Sequence, residues 1–406
     1  MQTEQETKQP EKQKKILKDY GEISLALHKK HGGKISLESK VPLETREDLA
    51  IAYTPGVGAV SSAIAKDPSL AKTHTLKGNT VAIVSDGSAV LGLGNIGPEA
   101  ALPVMEGKAI LFKKFAGLDA FPICLSTQDT EEIIRTVAAI APSFGGINLE
   151  DIAAPRCFEI ERRLREILPI PIMHDDQHGT AVVVLAGLIN ALAVRGISEK
   201  EAKVVVVGAG AAGIAVTEIL LAYGFENIIV SDSGGIIYHG REGLALSPEK
   251  DALSIKTNLA CVIDMNDPRC AVGNLAENLS GADVFIGVSR AGILTGEMIR
   301  TMNERPIIFA LANPVPEIMP DEAKAAGAYI VATGRSDFPN QVNNVLAFPG
   351  IFRGAFDHSI RQFSDEMFLR AAKALAQCVE SPTADHILPD PFDPKILPAV
   401  SAAMAE

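Results

Sequence analysis

The chain has no C-x-x-C pair, no excess of basic residues and no apolar run long enough to cross a bilayer, and each absence removes a class of function. Its five cysteines, Cys124, Cys157, Cys261, Cys270 and Cys378, are odd in number and scattered. That argues against a disulfide framework and a thiolate zinc site, and points to a reducing compartment. Asp and Glu outnumber Lys and Arg by 50 to 38, giving a formal net charge of −12 that repels nucleic acid and anionic membranes alike. The first fifteen residues, MQTEQETKQPEKQKK, lack the apolar core of a secretory leader and read as a mobile tail. The longest apolar stretch, AVVVLAGLINALAV at 181–194, is short for a bilayer and has the composition of a buried core helix. The expectation is a cytoplasmic chain without nucleic-acid or membrane partners.

What is present is an ordinary globular composition, 47% apolar and 22% charged over 406 residues, enough for two or three domains. After the tail (1–15), residues 16–180 alternate apolar strands with helical patterns: TVAIVSD (80–86), a glycine-rich turn GLGNIG (92–97), a helix from Pro98, AFPICL (120–125) and IPIM (170–173). Polar residues gather where those strands end. A second series of apolar runs over 181–348 comprises KVVVV, NIIVSD, LACVID, ADVFIGVS, PIIFALA and AYIVATG, each suited to a parallel strand covered on both faces. Residues 349–406 read as a helical segment and a proline-punctuated arm, LPDPFDPKILP, packed on a neighbour. The fold class is therefore α/β: an N-terminal α/β substrate and metal domain, then a Rossmann-like doubly wound parallel-sheet dinucleotide domain, with helical terminal arms.

GAGAAG follows the strand KVVVV and opens an apolar helix, the context that makes G-x-G-x-x-G informative. Gly208 permits the tight turn, Gly210 the approach of a pyrophosphate, and Gly213 close helix packing; with Ala209, Ala211 and Ala212 they are the expected cofactor-binding residues. Asp232 ends the next strand, 24 residues after Gly208, where a carboxylate can accept from ribose hydroxyls. Only Ser233, Gly234 and Gly235 follow it, and the next basic residue after His239 is Arg241, so no cation is evident for a 2′-phosphate; NAD is favoured, with NADP possible. GLGNIG matches the same pattern without the context, since its downstream acid, Asp119, precedes a strand. It reads as a turn shaping backbone near substrate, or as a structural turn.

Glu150 and Asp151, and later Asp175 and Asp176, lie at element boundaries beside apolar runs, where a fold can bring them to one cleft. An oxygen-only set suits Mg²⁺ or Mn²⁺ and leaves coordination positions for a chelating substrate. Lys108 interrupts the apolar face of EGKAILFKKF, and near a metal or other cations its pKa can fall far enough for base chemistry. Tyr53 lies in the Pro/Gly-rich loop YTPGVG.

These pieces, in this order, resemble the malic enzymes, in particular the short bacterial type. YTPGVG, SDGSAVLGLGNIG, the lysine of EGKAILFK, NLEDI, HDDQHGTA, GAGAAG, FALANP and NQVNNVLAFPG carry the resemblance from about Gly21 to Pro398. It implies Tyr53 as general acid, Lys108 as general base with Asp175 beside it, and Glu150, Asp151 and Asp176 as divalent-metal ligands. It further implies that Asn313, and Asn343 or Asn344, bind the substrate carboxylate and the cofactor region, Lys108 also contacting substrate. Longer relatives carry an arginine in the DG-x-R segment where this chain has Ser88 and Ala89, so another cation, or the metal with the asparagines, must hold the carboxylate.

The activity implied is metal-dependent oxidative decarboxylation of L-malate to pyruvate and CO₂ with NAD(P)⁺, accompanied by minor oxaloacetate decarboxylation. A homodimer or higher homo-oligomer is also implied, with Tyr53 serving its own or a neighbouring subunit. Two other readings compete: a non-decarboxylating NAD-linked dehydrogenase, which has little need of the acidic set, and a non-catalytic NAD-binding sensor, which has no need of an acid and a base.

Overall fold

The computed structural model describes residues 8–90, 92–244, 247–267 and 269–405. Two parallel sheets organise it. The first contains β1 (Thr80–Ser85), β2 (Asp119–Cys124), β3 (Gly146–Leu149) and β4 (Ile172–His174) in the order β2-β1-β3-β4. Val81 pairs with Ala120 on one side and Gly146 on the other, so β1, buried along its whole length, is central. All four strands point the same way, which brings the polar residues after β1, β3 and β4 to one edge.

The second sheet contains β5 (Lys203–Val207), β6 (Asn227–Asp232), β7 (Gly235–Ile236), β8 (Val284–Gly287), β9 (Ile307–Ala310) and β10 (Ile330–Thr333) in the order β10-β9-β8-β5-β6-β7. Only β7 runs antiparallel, folding back on β6. The chain winds outward in opposite directions from β5 and β8, so a crevice opens beyond their C-terminal ends, the usual ligand position in such sheets. LACVID, expected as a strand, is instead the helix Leu259–Ile263. Its Leu259 and Ile263 are exposed, so the segment lacks the two covered faces that make a parallel strand stable.

The helix Asp175–Arg195 joins the two sheets and is apolar nearly all round because it is packed on nearly every side. By length and composition it would suit a membrane; its burial in this fold accounts for the same pattern. It starts at Asp175, six residues before the composition changes, so Asp175 and Asp176 occupy its first turn, where the helix dipole favours negative charge.

The C-terminal segment, expected to pack on a neighbour, folds back on its own chain. The helix Phe348–Asp357 inserts Phe348 and Phe352 against Phe112, with ring centroids 4.6 and 5.4 Å apart. A Phe112→Ala change would cost about 3–5 kcal/mol at such a buried site. Asn190 on the central helix donates to the carbonyls of Ala376 and Ile387, both at 2.9 Å, which ties the proline-rich end down. At the other terminus the first helix begins at Lys8, so it includes part of the expected tail; residues 1–7 lie outside the described residues.

The cysteine expectation also changes: Cys261 and Cys270 are joined as a disulfide. The bridge closes a short loop beside Asn258, whose side chain accepts from the Ala271 N–H and donates to the Ala271 carbonyl. The other three cysteines are free thiols.

Candidate active site

Lys108 lies on the buried face of the helix Pro98–Ala116, in line with Ala101, Met105 and Phe112, and is 8% exposed. An amine so placed must find charged partners. Its Nζ donates to Glu150 Oε1 at 2.7 Å and to Asp175 Oδ2, and stands 4.3 Å from the centre of the Phe348 ring. Burial pushes the lysine pKa down, but Asp175, Glu150 and Asp176 outweigh it and hold the pKa above the ordinary lysine range. The expectation of a lowered pKa is thus reversed in this state, because carboxylates rather than cations surround the amine.

Glu150 follows β3, and its backbone N–H continues the ladder to Val84 O at 2.9 Å. Its second oxygen accepts from Asn148 Nδ2 at 2.8 Å. Burial raises the Glu150 carboxyl pKa well above its usual value; Lys108 opposes this, and Asp176, Asp175 and Asp151 add to it. Asp151 adopts φ 54°, a left-handed backbone that Asp tolerates better than most side chains, and its N–H donates to Asp176 Oδ2 at 2.8 Å. Burial likewise raises Asp175. Asn344 Nδ2 donates to Asp175 Oδ2 at 2.9 Å, while Asp175 Oδ1 is buried without a hydrogen-bond partner. A Cβ on Gly179, one turn along the helix, would lie 1.9 Å from that oxygen, so only glycine leaves it room.

Four carboxylates therefore converge with one ammonium to balance them. Among the described residues no three His, Cys, Asp or Glu side chains are gathered as a ready-made metal cage, and Lys108 sits between Glu150 and Asp175. The donor chemistry nevertheless fits a hard divalent cation: oxygen ligands, excess negative charge and an orphaned carboxylate oxygen on Asp175.

Other sequence candidates part company here. Asn344 reaches the acidic cluster, whereas Asn343 turns its oxygen to the Val345 N–H at 2.9 Å and caps a short helical turn. Tyr53 is 66% exposed, and among the described residues no hydrogen bond joins its side chain to Lys108 or the acids. Asn313 lies three residues beyond β9, before a cis proline, and a Cβ on Gly92 would lie 2.1 Å from its carbonyl. The GLGNIG turn thus packs on the second domain, as backbone shaping near the site, and does not open a dinucleotide loop.

Residues that sequence reasoning missed support this centre. Glu161 is buried and accepts from the His174 N–H, from Gln177 Nε2 and from His178, each at 3.0–3.1 Å, bracing the HDDQH turn. Arg156 donates to Asp86 at 2.7 Å and to Ser88 Oγ at 2.9 Å, bringing a cation to the turn where the expected arginine is missing. Glu317 is fully buried and accepts from the Ser289 N–H at 2.8 Å and the Ala312 N–H at 2.9 Å, pinning together the loops after β8 and β9. Apart from Ala312 and Glu317, five residues apart, each contact joins residues 13 or more apart in sequence, which no local motif records.

The dinucleotide loop lies at the crevice between β5 and β8. Gly208 has φ 109°, and a Cβ there would lie 2.5 Å from Val288 O; one on Gly213 would lie 1.7 Å from Gly208 O. Glycine is required at both. A cavity of about 610 Å³ extends from Gly208 and Gly210 to Asp232 and Lys250, with Arg290 at its wall. The expectation that no cation stands near Asp232 is corrected. Arg241 donates to both its oxygens at 2.8 Å, and Lys250 donates to Oδ2 at 2.7 Å. Burial works to raise the Asp232 pKa, but these partners hold it well below the usual carboxylate range.

Fold and site together define a two-domain nicotinamide-linked oxidoreductase with an acidic, lysine-bearing centre in the first domain and a dinucleotide loop in the second. Residues 32–165 match the family described as malic enzyme, N-terminal domain, and residues 177–403 match malic enzyme, NAD binding domain. The chain is 53% identical to a bifunctional malic/malolactic enzyme of Bacillus subtilis, over 95% of this chain and 92% of that one. It is 56% identical to an NAD-dependent malic enzyme of Geobacillus stearothermophilus, over 92% of this chain and 76% of that one. The crystal structure of an NAD-dependent malic enzyme from Thermotoga maritima superposes with a TM-score of 0.88 at 50% identity, covering 94% of this chain and 98% of that one. The chain belongs to the malic enzyme family.

Proposed function

We propose that this chain oxidises L-malate at C2 with NAD⁺ or NADP⁺ and releases CO₂, leaving pyruvate. The observation that carries this reading is Lys108 held between Glu150 and Asp175, in a chain whose second domain bears the dinucleotide loop. Relatives named for each dinucleotide, NAD-dependent in Geobacillus stearothermophilus and NADP-dependent in Rhizobium meliloti, support use of either.

Lys108, after giving its own proton up to solvent, takes the proton of the C2 hydroxyl as a neutral amine while hydride leaves C2 for the nicotinamide ring. The lysine ends that step as a cation between two carboxylates, a product state that Glu150 and Asp175 stabilise. Asn344 donates to Asp175 Oδ2 and so orients the carboxylate, whose other oxygen is buried against Gly179. Glu150, Asp151 and Asp176 are the residues that would hold a Mg²⁺ or Mn²⁺ ion, which when bound supplies the positive charge that acidifies the hydroxyl and favours loss of CO₂. Tyr53 supplies the proton that C3 gains after CO₂ departs. The phenolic O–H breaks, a C3–H forms, and the phenolate regains its proton from water.

The working form on this reading is a homodimer or higher homo-oligomer acting on a small metabolite in the cytoplasm, where free malate and dinucleotide are available together. The test is reduction of NAD⁺ and of NADP⁺ by L-malate, with Mn²⁺ and with a chelator. Metal-dependent reduction supports the reading. Tight dinucleotide binding without reduction would favour a sensor instead.

A further inference from the structure

The bridge between Cys261 and Cys270 lies on the dinucleotide domain, and the other three cysteines are chemically quiet beside it. Burial pushes the Cys124 thiol up to about 11 and the Cys157 thiol to about 12, and it raises Cys378 as well. Little of any of them is thiolate at neutral pH, so thiol exchange is left to the bridged pair. In a cytoplasm, where disulfides are usually transient and redox-sensing, such a bond is a conditional one.

The two sulfurs differ in access. Cys261 is 4% exposed, whereas Cys270 is half-buried, so an incoming thiolate meets the Cys270 sulfur first and that of Cys261 leaves. Cys261 Sγ lies 3.1 Å from Asn258 Oδ1, which gives the released thiol an acceptor. Around the bridge Leu259, Ile263 and Met265 are exposed, so the segment buries little apolar surface to hold itself in place.

The bridge reaches the dinucleotide cavity through a short run of contacts. Asn258 accepts from the Ala271 N–H at 3.0 Å, donates to the Ala271 carbonyl at 2.6 Å and reaches the carbonyl of Ile237 at 3.3 Å. The Gly273 carbonyl backs Gly235, where a Cβ would lie 3.5 Å from it. The carbonyls of Gly235 and Ile236 in turn accept from Arg241 at 2.9 and 3.2 Å, and Arg241 holds Asp232 at the cavity wall. The bridged loop is thus the backing of the β6-β7 turn.

We infer that Cys261 and Cys270 are a thiol–disulfide modification site whose bridge tightens dinucleotide binding, its co-reactants being a small-molecule disulfide in one direction and a small thiol in the other. In closing, the Cys270 thiolate attacks one sulfur of the small disulfide, releasing one thiol and leaving a mixed disulfide. Cys261, its proton lost to water, then displaces the second thiol. Two electrons pass from the pair to the oxidant, whose S–S bond breaks as the protein's forms. Opening runs the same steps backward and turns two small thiols into one disulfide. Once open, the loop keeps only the Asn258 hydrogen bonds to hold Ala271 against the β6-β7 turn.

The test treats the full chain with glutathione disulfide or with dithiothreitol, blocks free thiols with iodoacetamide, and maps the peptides by mass. Affinity for NADH or NADPH is read by fluorescence, which needs no malate turnover, so a failure of the decarboxylation reading leaves this test intact. Glutathione disulfide should protect Cys261 and Cys270 from blocking, and dithiothreitol should reverse it. Reduction should weaken dinucleotide binding about 5-fold or more. KM for the dinucleotide should rise with it, while turnover at saturating dinucleotide stays unchanged. Cys261→Ser should show the weaker affinity under both treatments, and Cys378→Ser should keep the response; should Cys261→Ser not fold, Cys270→Ser replaces it. A pair that stays open in glutathione disulfide overturns the proposal, as does a pair that closes with the same dinucleotide affinity in both states.

Discussion

Lys108 and Glu150 lie 2.7 Å apart, nitrogen to oxygen, both nearly excluded from water and 42 residues apart in the chain. The contact joins the long helix after the first strand to the end of the third, and makes the two a single charge-compensated unit. Removing Lys108 leaves both Glu150 and Asp175 without their cation, whereas removing Glu150 leaves Lys108 paired with Asp175.

Lys108→Ala is accordingly expected to lower turnover by about 10²–10⁴-fold. It should also lower folding stability by about 3–5 kcal/mol, the cost of stranding a buried charge. Steady-state kinetics and denaturant titration on one preparation check both. Dinucleotide affinity, measured by calorimetry, should change little, because the Gly208 loop lies on the other domain.

Gly179→Ala reverses the usual helix rule. Alanine in a helix interior normally stabilises by about 0.5–1 kcal/mol over glycine. Here its Cβ would lie 1.9 Å from Asp175 Oδ1, so Asp175 must move off Lys108 and Asn344. The expected outcome is a large loss of turnover from a substitution that local propensity would favour, and wild-type kinetics would show that the oxygen has room.

Glu317→Ala removes the acceptor shared by the Ser289 and Ala312 N–H groups. Each buried donor left unpaired costs about 1–3 kcal/mol. The two loops should loosen together, raising KM for the dinucleotide more than that for malate. Glu317→Gln, which keeps an acceptor oxygen, should recover most of the loss.

At Asp232 the sign of the pH effect follows from a depressed pKa. Although burial opposes ionisation, Arg241, Lys250 and the Gly234 N–H hold the folded carboxyl below its unfolded value. Its contribution to stability is therefore present above the unfolded carboxylate pKa of about 3.9 and lost as pH falls through the folded value. Thermal melts of wild type and Asp232→Asn should differ at neutral pH and converge in acid. Because Lys250 also faces the cavity, Lys250→Ala should raise KM for NADP⁺ more than for NAD⁺.

Much of this was legible because the chemistry is carried by residues at the ends of apolar strands. KVVVV followed by GAGAAG announces both a buried strand and the turn after it, and NLED and HDDQHG announce polar groups delivered by β3 and β4. What stayed hidden depends on distant partners. Asn343 and Asn344 are indistinguishable in sequence, and only the central helix, approaching from Thr180, decides that Asn344 faces Asp175. Lys250 reaches Asp232 across 18 residues because the β6-β7 turn and the helix after it bring it back. LACVID has the composition of a strand, but no neighbouring strand covers it. Cys261 and Cys270 carry no spacing motif and meet only through the loop that joins them.

The central claim is that this site both oxidises malate at C2 and releases its β-carboxylate as CO₂. The most direct test counts products with L-malate, NAD⁺ and Mn²⁺, measuring reduced nicotinamide, pyruvate and CO₂ in the same reaction. The account predicts equimolar amounts of all three. Reduced nicotinamide accumulating with oxaloacetate, and without pyruvate or CO₂, would contradict it.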